Sequence, residues 1–352
     1  MKISMICFSL TGLAVMERLK KALEEEHHQV CAAAKGKYLP DSMEGTVKDW
    51  CRIQFAEADA LVFVSASGIA VRAVAPWIRS KKTDPAVVVV DERGSFSISL
   101  LSGHLGGANA LAKRCGEILG AVPVITTATD LNGLFAVDVF ASHQGMELRN
   151  MKAAKEVSAA LLAGKNVGFY SEFPVKGEFP RGILPCDASG RPLEGASKAP
   201  LPVGFAVTIY RNASPFSSTA VLIPKKVTLG LGCRRGKEVS AIEAAAEEAL
   251  EKCGIYPESI KCVASIDLKA EEEGIIEFCK KRELPFYTYS AKKLMEVPGN
   301  FTGSDFVLEK TGVDNVCERS ALRAGGGRLL LKKIKGDGVT AALALEEWSV
   351  EF

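Results

Sequence analysis

The sequence predicts an α/β protein: a doubly wound parallel sheet at the N-terminus, a small α+β middle insert, and a second α/β domain at the C-terminus. Three observations predict it. Short, nearly unbroken apolar runs such as Ile3–Phe8, Ala60–Val64 and Ala86–Val90 read as strands covered on both faces. The segments between them carry apolar residues at helical spacing, as in Leu13, Met16, Leu19 and Leu23. The chain has 352 residues, 47% of them hydrophobic and 24% charged, enough for more than one core.

Taken in order, strand Ile3–Phe8 is followed by a turn at Ser9–Gly12 and a helix over Leu13–Glu25. Val30–Ala34 reads as a strand, Val47–Glu57 as a helix, and Ala60–Val64 as a strand. A helix over Ile69–Ile78 is limited by Pro76, whose ring removes a backbone donor. Ala86–Val90 is a strand, Leu105–Leu119 a helix closed by Gly120, and Val122–Thr126 a last strand. Five strands separated by helices predict a flavodoxin-like sheet with ligands beyond the carboxyl ends of its strands. That rim would bring together Ser9–Gly12, Ser65–Gly68, Asp91–Gly94 and Thr126–Asp130.

Beyond residue 131 the pattern loosens. A helix over Lys152–Leu162 and strands Val167–Tyr170 and Phe205–Ile209 flank a Pro- and Gly-rich stretch, Pro174–Pro202. The predicted boundaries are 1–131, a middle region 132–211, a linker 212–226 and a C-terminal domain 227–352. The last begins with strand Val227–Leu229, the turn Gly230–Gly236 and helix Glu238–Cys253. Strand Val263–Ile266, helix Glu272–Lys281, strand Phe286–Tyr289, helix Val313–Arg323, and strands Leu329–Leu331 and Val339–Leu345 complete it.

A net charge of +2 offers no global field for nucleic acid or membrane, so any basic site is local. Ten cysteines form no C-x-x-C pair and no zinc spacing, which predicts reduced core thiols and no protein-bound metal. Met1–Lys2 runs directly into a strand, and no apolar run spans a bilayer, so a cytoplasmic protein without a leader is expected.

The densest polar run is Asp91–Asn109, after the most apolar strand and ending at a helix start. Gly106 and Gly107 let a ligand approach that first turn, whose free amides favour an anion or a developing oxyanion. His104, one of four histidines, can move protons near neutral pH. A purely structural reading has Ser102 capping the helix and His104 bonding the loop. Gly68 with Arg72 reads either as a carboxylate grip or as part of a solvated basic face. Gly230–Gly236 has a dinucleotide-loop flavour, but Arg235 stands where the third fingerprint glycine belongs, so an anion-binding turn with Gly232, Arg234 and Arg235 fits better. Asp267 with Lys269, and Glu318, are strand-end and helix-start groups.

Several of these segments together resemble one family. Gly68-Ile-Ala-Val-Arg72, Asp84–Glu92, Leu100–Asn109 with its Ser-Gly-His-x-Gly-Gly-Ala-Asn run, and Ile125–Asp130 resemble the N-terminal part of the CbiG family. Gly230–Gly236, Asp267–Glu272, and Thr311–Val313 with Glu318 resemble its C-terminal domain. The resemblance implies cobalt-precorrin-5A hydrolase activity: opening of a ring A δ-lactone and release of acetaldehyde in the anaerobic route to cobalamin. It implies a cobalt-corrinoid substrate, whose cobalt is part of the substrate rather than a cofactor. It leaves open a homodimer or transient contact with other enzymes of the pathway.

For that chemistry the local argument makes His104 the base, oriented by Glu92 or Asp91, with Gly106 and Gly107 as oxyanion donors. Gly68, Arg72, Ser102, Asn109, Thr126, Thr127, Gly232, Arg234, Arg235, Asp267, Lys269 and Glu318 would contact the substrate and its carboxylates. Two rival classes are a non-catalytic corrinoid carrier, and a nucleotide-dependent oxidoreductase, which Arg235 disfavours.

Overall fold

The computed structural model describes residues 1–80, 83–104, 106–127, 133–195 and 199–352. The chain divides into two compact units, Met1–Val139 and Phe140–Phe352.

The first unit contains β1 (Lys2–Cys7), α1 (Leu10–Glu25), β2 (Gln29–Ala34), α2 (Val47–Glu57), β3 (Ala60–Val64), α3 (Ser67–Val74), β4 (Ala86–Val90), β5 (Phe96–Leu101), α4 (Ala108–Leu119) and β6 (Val122–Val124). They build one sheet in the order β2-β1-β3-β4-β5-β6. Alternate residues of the central strands feed two cores. Ile3, Met5, Val62 and Val88 face α1 and α4, through Leu19 and Leu111. Ile6, Leu61, Phe63 and Val89 face α2 and α3, through Phe55 and Ala70. Burial on both faces is why these strands read as continuous apolar runs.

The expected all-parallel sheet does not hold, although the strand order runs 2-1-3-4-5. β1 to β4 are parallel, but β5 runs antiparallel to β4, and β6 runs parallel to β5. The chain reverses at Asp91–Ser95, where the Asp91 carboxylate accepts the amides of Arg93, Ser95 and Phe96 at 2.9, 2.8 and 2.5 Å. Gly94 supplies the positive φ of 69° that the turn requires. The run Asp91–Asn109 is therefore a tight turn, a strand and a second turn, not one polar rim. Helix α4 runs from Ala108 with Gly107 as its N-cap; Leu105, where the sequence predicts its start, lies outside the described residues. Thr126 and Thr127 lie past the end of β6.

The second unit holds two five-stranded sheets. One has the order β10-β8-β11-β12-β7, from β7 (Met146–Arg149), β8 (Val167–Ser171), β10 (Ile183–Pro185), β11 (Val203–Val207) and β12 (Ser218–Pro224). Helices α5 (Val137–His143), which begins in the first unit, and α6 (Met151–Leu162) flank this sheet in sequence. The expected linker 212–226 is corrected here. Its Ser218–Pro224 stretch is an almost wholly buried strand, parallel to β11 and antiparallel to β7. Pro215 precedes it and Pro224 is its last residue, a position where a proline is tolerated.

The other sheet has the order β15-β14-β13-β17-β16. It comprises β13 (Val227–Cys233), β14 (Ile260–Ile266), β15 (Phe286–Tyr289), β16 (Arg328–Gly336) and β17 (Val339–Leu345). Helices α7 (Val239–Cys253), α8 (Glu273–Lys281), α9 (Ala291–Met295), α10 (Asp305–Thr311) and α11 (Val316–Gly325) accompany it. Gly230 and Gly232 belong to β13, not to a phosphate-type turn. A Cβ at Gly230 would lie 1.9 Å from the Cys317 carbonyl oxygen, so that glycine exists to seat α11 on the sheet.

A short pair, β9 (Val175–Lys176) with β18 (Val350–Glu351), brings Phe352 onto the first of these sheets. Its ring stacks on Phe140 at 4.7 Å and meets Phe169 and Phe179 edge-on at 5.0 and 5.2 Å. Among the described residues no helix is long and apolar enough to cross a membrane.

Candidate active site

The reversal at Asp91 divides the predicted rim of the first unit into two ends. At the carboxyl ends of β1, β3 and β4 stand Ser9, Gly68, Arg72, Asp91 and Glu92. At the carboxyl ends of β5 and β6 stand Ser102, His104, Gly106, Gly107, Asn109, Thr126 and Thr127. Because Leu101 pairs with Val87 while Ser97 pairs with Val90, His104 lies beyond the opposite end of β4 from Asp91. Five residues of extended chain put about 16 Å between the two turns. Neither Asp91 nor Glu92 can orient the His104 ring, and that part of the predicted site is corrected.

The first end has its own order. Ser9 caps α1, its Oγ accepting the Gly12 amide at 3.0 Å, and the same hydroxyl donates to Glu92 Oε2 at 2.9 Å. These groups sit where chain connections leave β1 and β3 in opposite directions, the switch point at which open α/β sheets bind ligands. Arg72 folds back so that Nη1 donates to the Gly68 carbonyl at 3.1 Å. Asp91 is committed to its turn amides and offers no oxygen for catalysis.

The second end is a compact turn. Ser102 adopts φ 57°, a left-handed conformation uncommon for serine. Its carbonyl accepts the Ala108 amide at 3.1 Å, the Gly103 carbonyl accepts Asn109 N at 3.0 Å, and the His104 carbonyl accepts Gly107 N at 3.0 Å. The Gly107 amide is thereby engaged and is not an oxyanion donor. A Cβ on Gly106 would sit 2.4 Å from the Ser102 Cβ, so that glycine is required for packing. The buried Asn109 side chain donates to Thr127 Oγ1 at 2.8 Å, tying the α4 start to the segment after β6. The Ser102 hydroxyl oxygen is buried and has no hydrogen-bond partner among the described residues. His104 is half-buried in this turn.

In the second unit, the predicted anion-binding turn after β13 already holds an anion, the chain's own Glu272. Its Oε1 accepts Gly236 N at 2.6 Å and Lys237 N at 3.2 Å, and Oε2 accepts Lys269 Nζ at 2.7 Å. Burial pushes the Glu272 carboxyl up, but the Lys269 ammonium and the two amides outweigh it and hold it below the usual carboxylate range. Lys269 is thus committed to Glu272. Arg234, Arg235 and Asp267 are exposed. Gly232 is a packed strand residue, its carbonyl accepting Thr340 Oγ1 at 3.1 Å. Glu318 is wholly buried, with Oε2 accepting Thr302 N at 3.1 Å and Oε1 accepting Lys333 N at 2.6 Å. It ties the Thr302 segment to strand β16 and is closed to substrate.

All ten cysteines are free, and burial pushes Cys51, Cys115, Cys279 and Cys317 up to about 12, which rules these four out as thiolate nucleophiles. Among the described residues no cluster of three or more His, Cys, Asp or Glu could hold a metal ion. Sequence reasoning placed Ser9 on the rim but missed its bond to Glu92, which only the fold brings together across 83 positions.

Three family models match consecutive parts of the chain and define a protein of the cobalamin-synthesis G type. Residues 49–130 match the cobalamin synthesis G N-terminal model, 135–224 the cobalamin biosynthesis central region, and 227–344 the cobalamin synthesis G C-terminus. The chain is 34% identical to the cobalt-precorrin-5A hydrolase of Salmonella typhimurium over 97% of both chains. It is 32% identical to that of Priestia megaterium over 86% of this chain and 82% of the relative. The chain belongs to the CbiG family. A solved cobalamin biosynthesis protein G homologue from Sulfolobus solfataricus aligns at 22% identity and TM-score 0.41, covering 98% of this chain and 97% of that one.

Proposed function

We propose that the chain is a cytoplasmic hydrolase that opens the ring A δ-lactone of cobalt-precorrin-5A and releases acetaldehyde, giving cobalt-precorrin-5B. The observation that carries this reading is the match to the Salmonella typhimurium cobalt-precorrin-5A hydrolase, 34% identical across 97% of each chain. The reaction needs water activated against a lactone carbonyl, and then the freed hydroxyl deprotonated as the carbon–carbon bond breaks. One water is consumed and one acetaldehyde leaves, with the electron pair and a proton passing to the macrocycle. The cobalt enters and leaves inside the substrate.

The turn at the end of β5 is the proposed centre. His104 takes the proton from water, the Gly106 amide faces the developing oxyanion, and the Asn109–Thr127 bond fixes the turn. The left-handed Ser102 supports this reading, since strained residues gather at functional sites. A second reading makes Glu92 the base, favoured by its 2.9 Å bond to Ser9 at the β1–β3 switch point.

Anaerobic incubation with cobalt-precorrin-5A, scored by substrate mass and aldehyde trapping, tests the reaction. A carrier would bind the intermediate and yield no aldehyde. His104→Ala and Glu92→Gln then choose between the two centres: the first reading requires loss of at least about a hundredfold in rate for His104→Ala with Glu92→Gln near wild type, and the second requires the reverse.

A further inference from the structure

The two five-stranded sheets of the second unit end in β10, β7, β15 and β16. Three of these edges carry devices that discourage pairing with another chain. β7 holds Glu147 and Arg149, β10 ends in Pro185, and β16 is rich in lysine and broken by two register shifts. β15 has none of them. Its Phe-Tyr-Thr-Tyr run contains no charge, no proline and no bulge, and Tyr287 is 49% exposed.

The backbone of this edge is open. Val263 pairs with Phe286, and its amide donates to the Pro285 carbonyl at 2.9 Å. Tyr287 and Tyr289 therefore turn their backbone groups toward β14, while Phe286 and Thr288 turn theirs outward. Among the described residues those outward groups have no hydrogen-bond partner, because β15 pairs with β14 alone.

The edge is also its own complement. A two-fold axis through Thr288, normal to the sheet, sets Thr288 against Thr288 and Phe286 against Ser290 as hydrogen-bonded antiparallel pairs. Tyr287 then opposes Tyr289 as a non-hydrogen-bonded pair, the kind in which side chains lie closest. The same axis lays the entry of one strand beside the exit of the other. At the entry is a cleft of about 410 Å³, with Leu284 and Pro285 in its wall and exposed Glu283 on its rim. At the exit stand exposed Lys292 and Lys293. Glu283 and Lys293 lie equally far from Thr288 in sequence, so each acid comes to the end of the seam that holds the other copy's lysine. Neither makes an ion pair among the described residues. Lys280 also lines the cleft, so net charge does not choose the partner; the strand pattern does, and the Glu283–Lys293 pairing adds to it.

We infer that β15 is a docking edge for a second copy of this chain, the two strands joining antiparallel across a two-fold axis at Thr288 into one continuous sheet. A seam this short makes a reversible, concentration-dependent dimer rather than an obligate one. The dimer stands or falls independently of the reaction proposed above.

Sedimentation velocity of the full chain at rising concentration is expected to show a monomer–dimer equilibrium. Thr288→Pro removes an amide that points outward, a place where an edge strand tolerates proline. It should weaken the dimer by roughly tenfold or more, with the melting temperature and far-UV circular dichroism kept. Glu283→Lys and Lys293→Glu should each weaken the dimer, and the two together should restore it. Thr288→Cys sets two sulfurs across the axis, where facing Cα atoms are about 5.5 Å apart, within disulfide reach. Mild oxidation should then join the copies at position 288, as peptide mapping reads directly. A chain that stays monomeric at every soluble concentration, a dimer that survives Thr288→Pro unchanged, or a Thr288→Cys dimer with no bond at position 288 would each overturn the assignment.

Discussion

Replacing Glu318 by Ala removes the acceptor of two backbone amides, Thr302 N and Lys333 N, from a position with 0% exposure. A buried amide left unpaired costs about 1–3 kcal/mol. Both amides here lie in partly buried surroundings, so water recovers some of that, and about 1–2 kcal/mol each is appropriate. The lost carboxylate also relieves its own desolvation, which offsets the cavity left by its stem. The net expectation is a destabilisation of about 2–4 kcal/mol. Glu318→Gln keeps one acceptor oxygen and presents an NH₂ to the other amide, so it should fall between Ala and wild type. Urea unfolding followed by far-UV circular dichroism measures the midpoint shift, and hydrogen exchange at Thr302 and Lys333 locates it. A shift for Glu318→Ala below about 0.5 kcal/mol, the range of ordinary surface substitutions, would refute the claim that this carboxylate ties the Thr302 segment to β16.

Gly230→Ala should prevent α11 from seating on β13, because the added Cβ would lie 1.9 Å from the Cys317 carbonyl oxygen; loss of soluble expression or of near-UV circular dichroism checks it. Asp314 is held below the usual carboxylate range by its hydrogen bonds to Arg319 at 2.6 and 3.1 Å. Its folded value is depressed, so its extra stability is complete above the ordinary carboxylate pKa and is lost as pH falls through the folded value. Asp314→Asn should therefore destabilise the protein at pH 7 and flatten that acid limb in a melting-temperature series. Phe352→Ala removes a ring that packs on Phe140, Phe169 and Phe179, at a cost of about 3 kcal/mol. Faster proteolysis near Val175–Lys176, where β18 pairs, is the accompanying sign.

The strands buried on both faces were legible because every residue of Ala60–Val64 and Ala86–Val90 is apolar. β5 was not. Its Phe96, Ile98 and Leu100 alternate with Ser97 and Ser99, a period-two signal submerged in a polar run that reads as a rim. Missing that strand reversed the chain's direction, and grouping Asp91 with His104 failed for the same reason. β12 reads as linker in sequence because Pro215 and Pro224 stand on either side of Ala220–Ile223, although that stretch is wholly apolar. In Gly230–Gly236 the sequence predicts Gly232 as a ligand contact, whereas Gly232 is a strand residue bonded to Thr340 and Gly230 accommodates a neighbouring helix. Glycine spacing alone does not separate these two needs. Glu318 was visible as a helix-start acid, but only the tertiary path of Thr302 and Lys333 shows that both its oxygens are spent.

The aromatic cluster on the middle sheet carries a consequence for how the chain is made. Phe140, Phe169 and Phe179 are synthesised early, yet the ring that completes their packing is Phe352. While the ribosome is still translating the C-terminal sheet, the middle sheet waits with an open aromatic face, dependent on a contact of very long sequence separation. Nascent chains arrested before residue 352 should therefore be the species that chaperones hold, and truncation near the end should harm the middle of the protein more than the strands beside the cut.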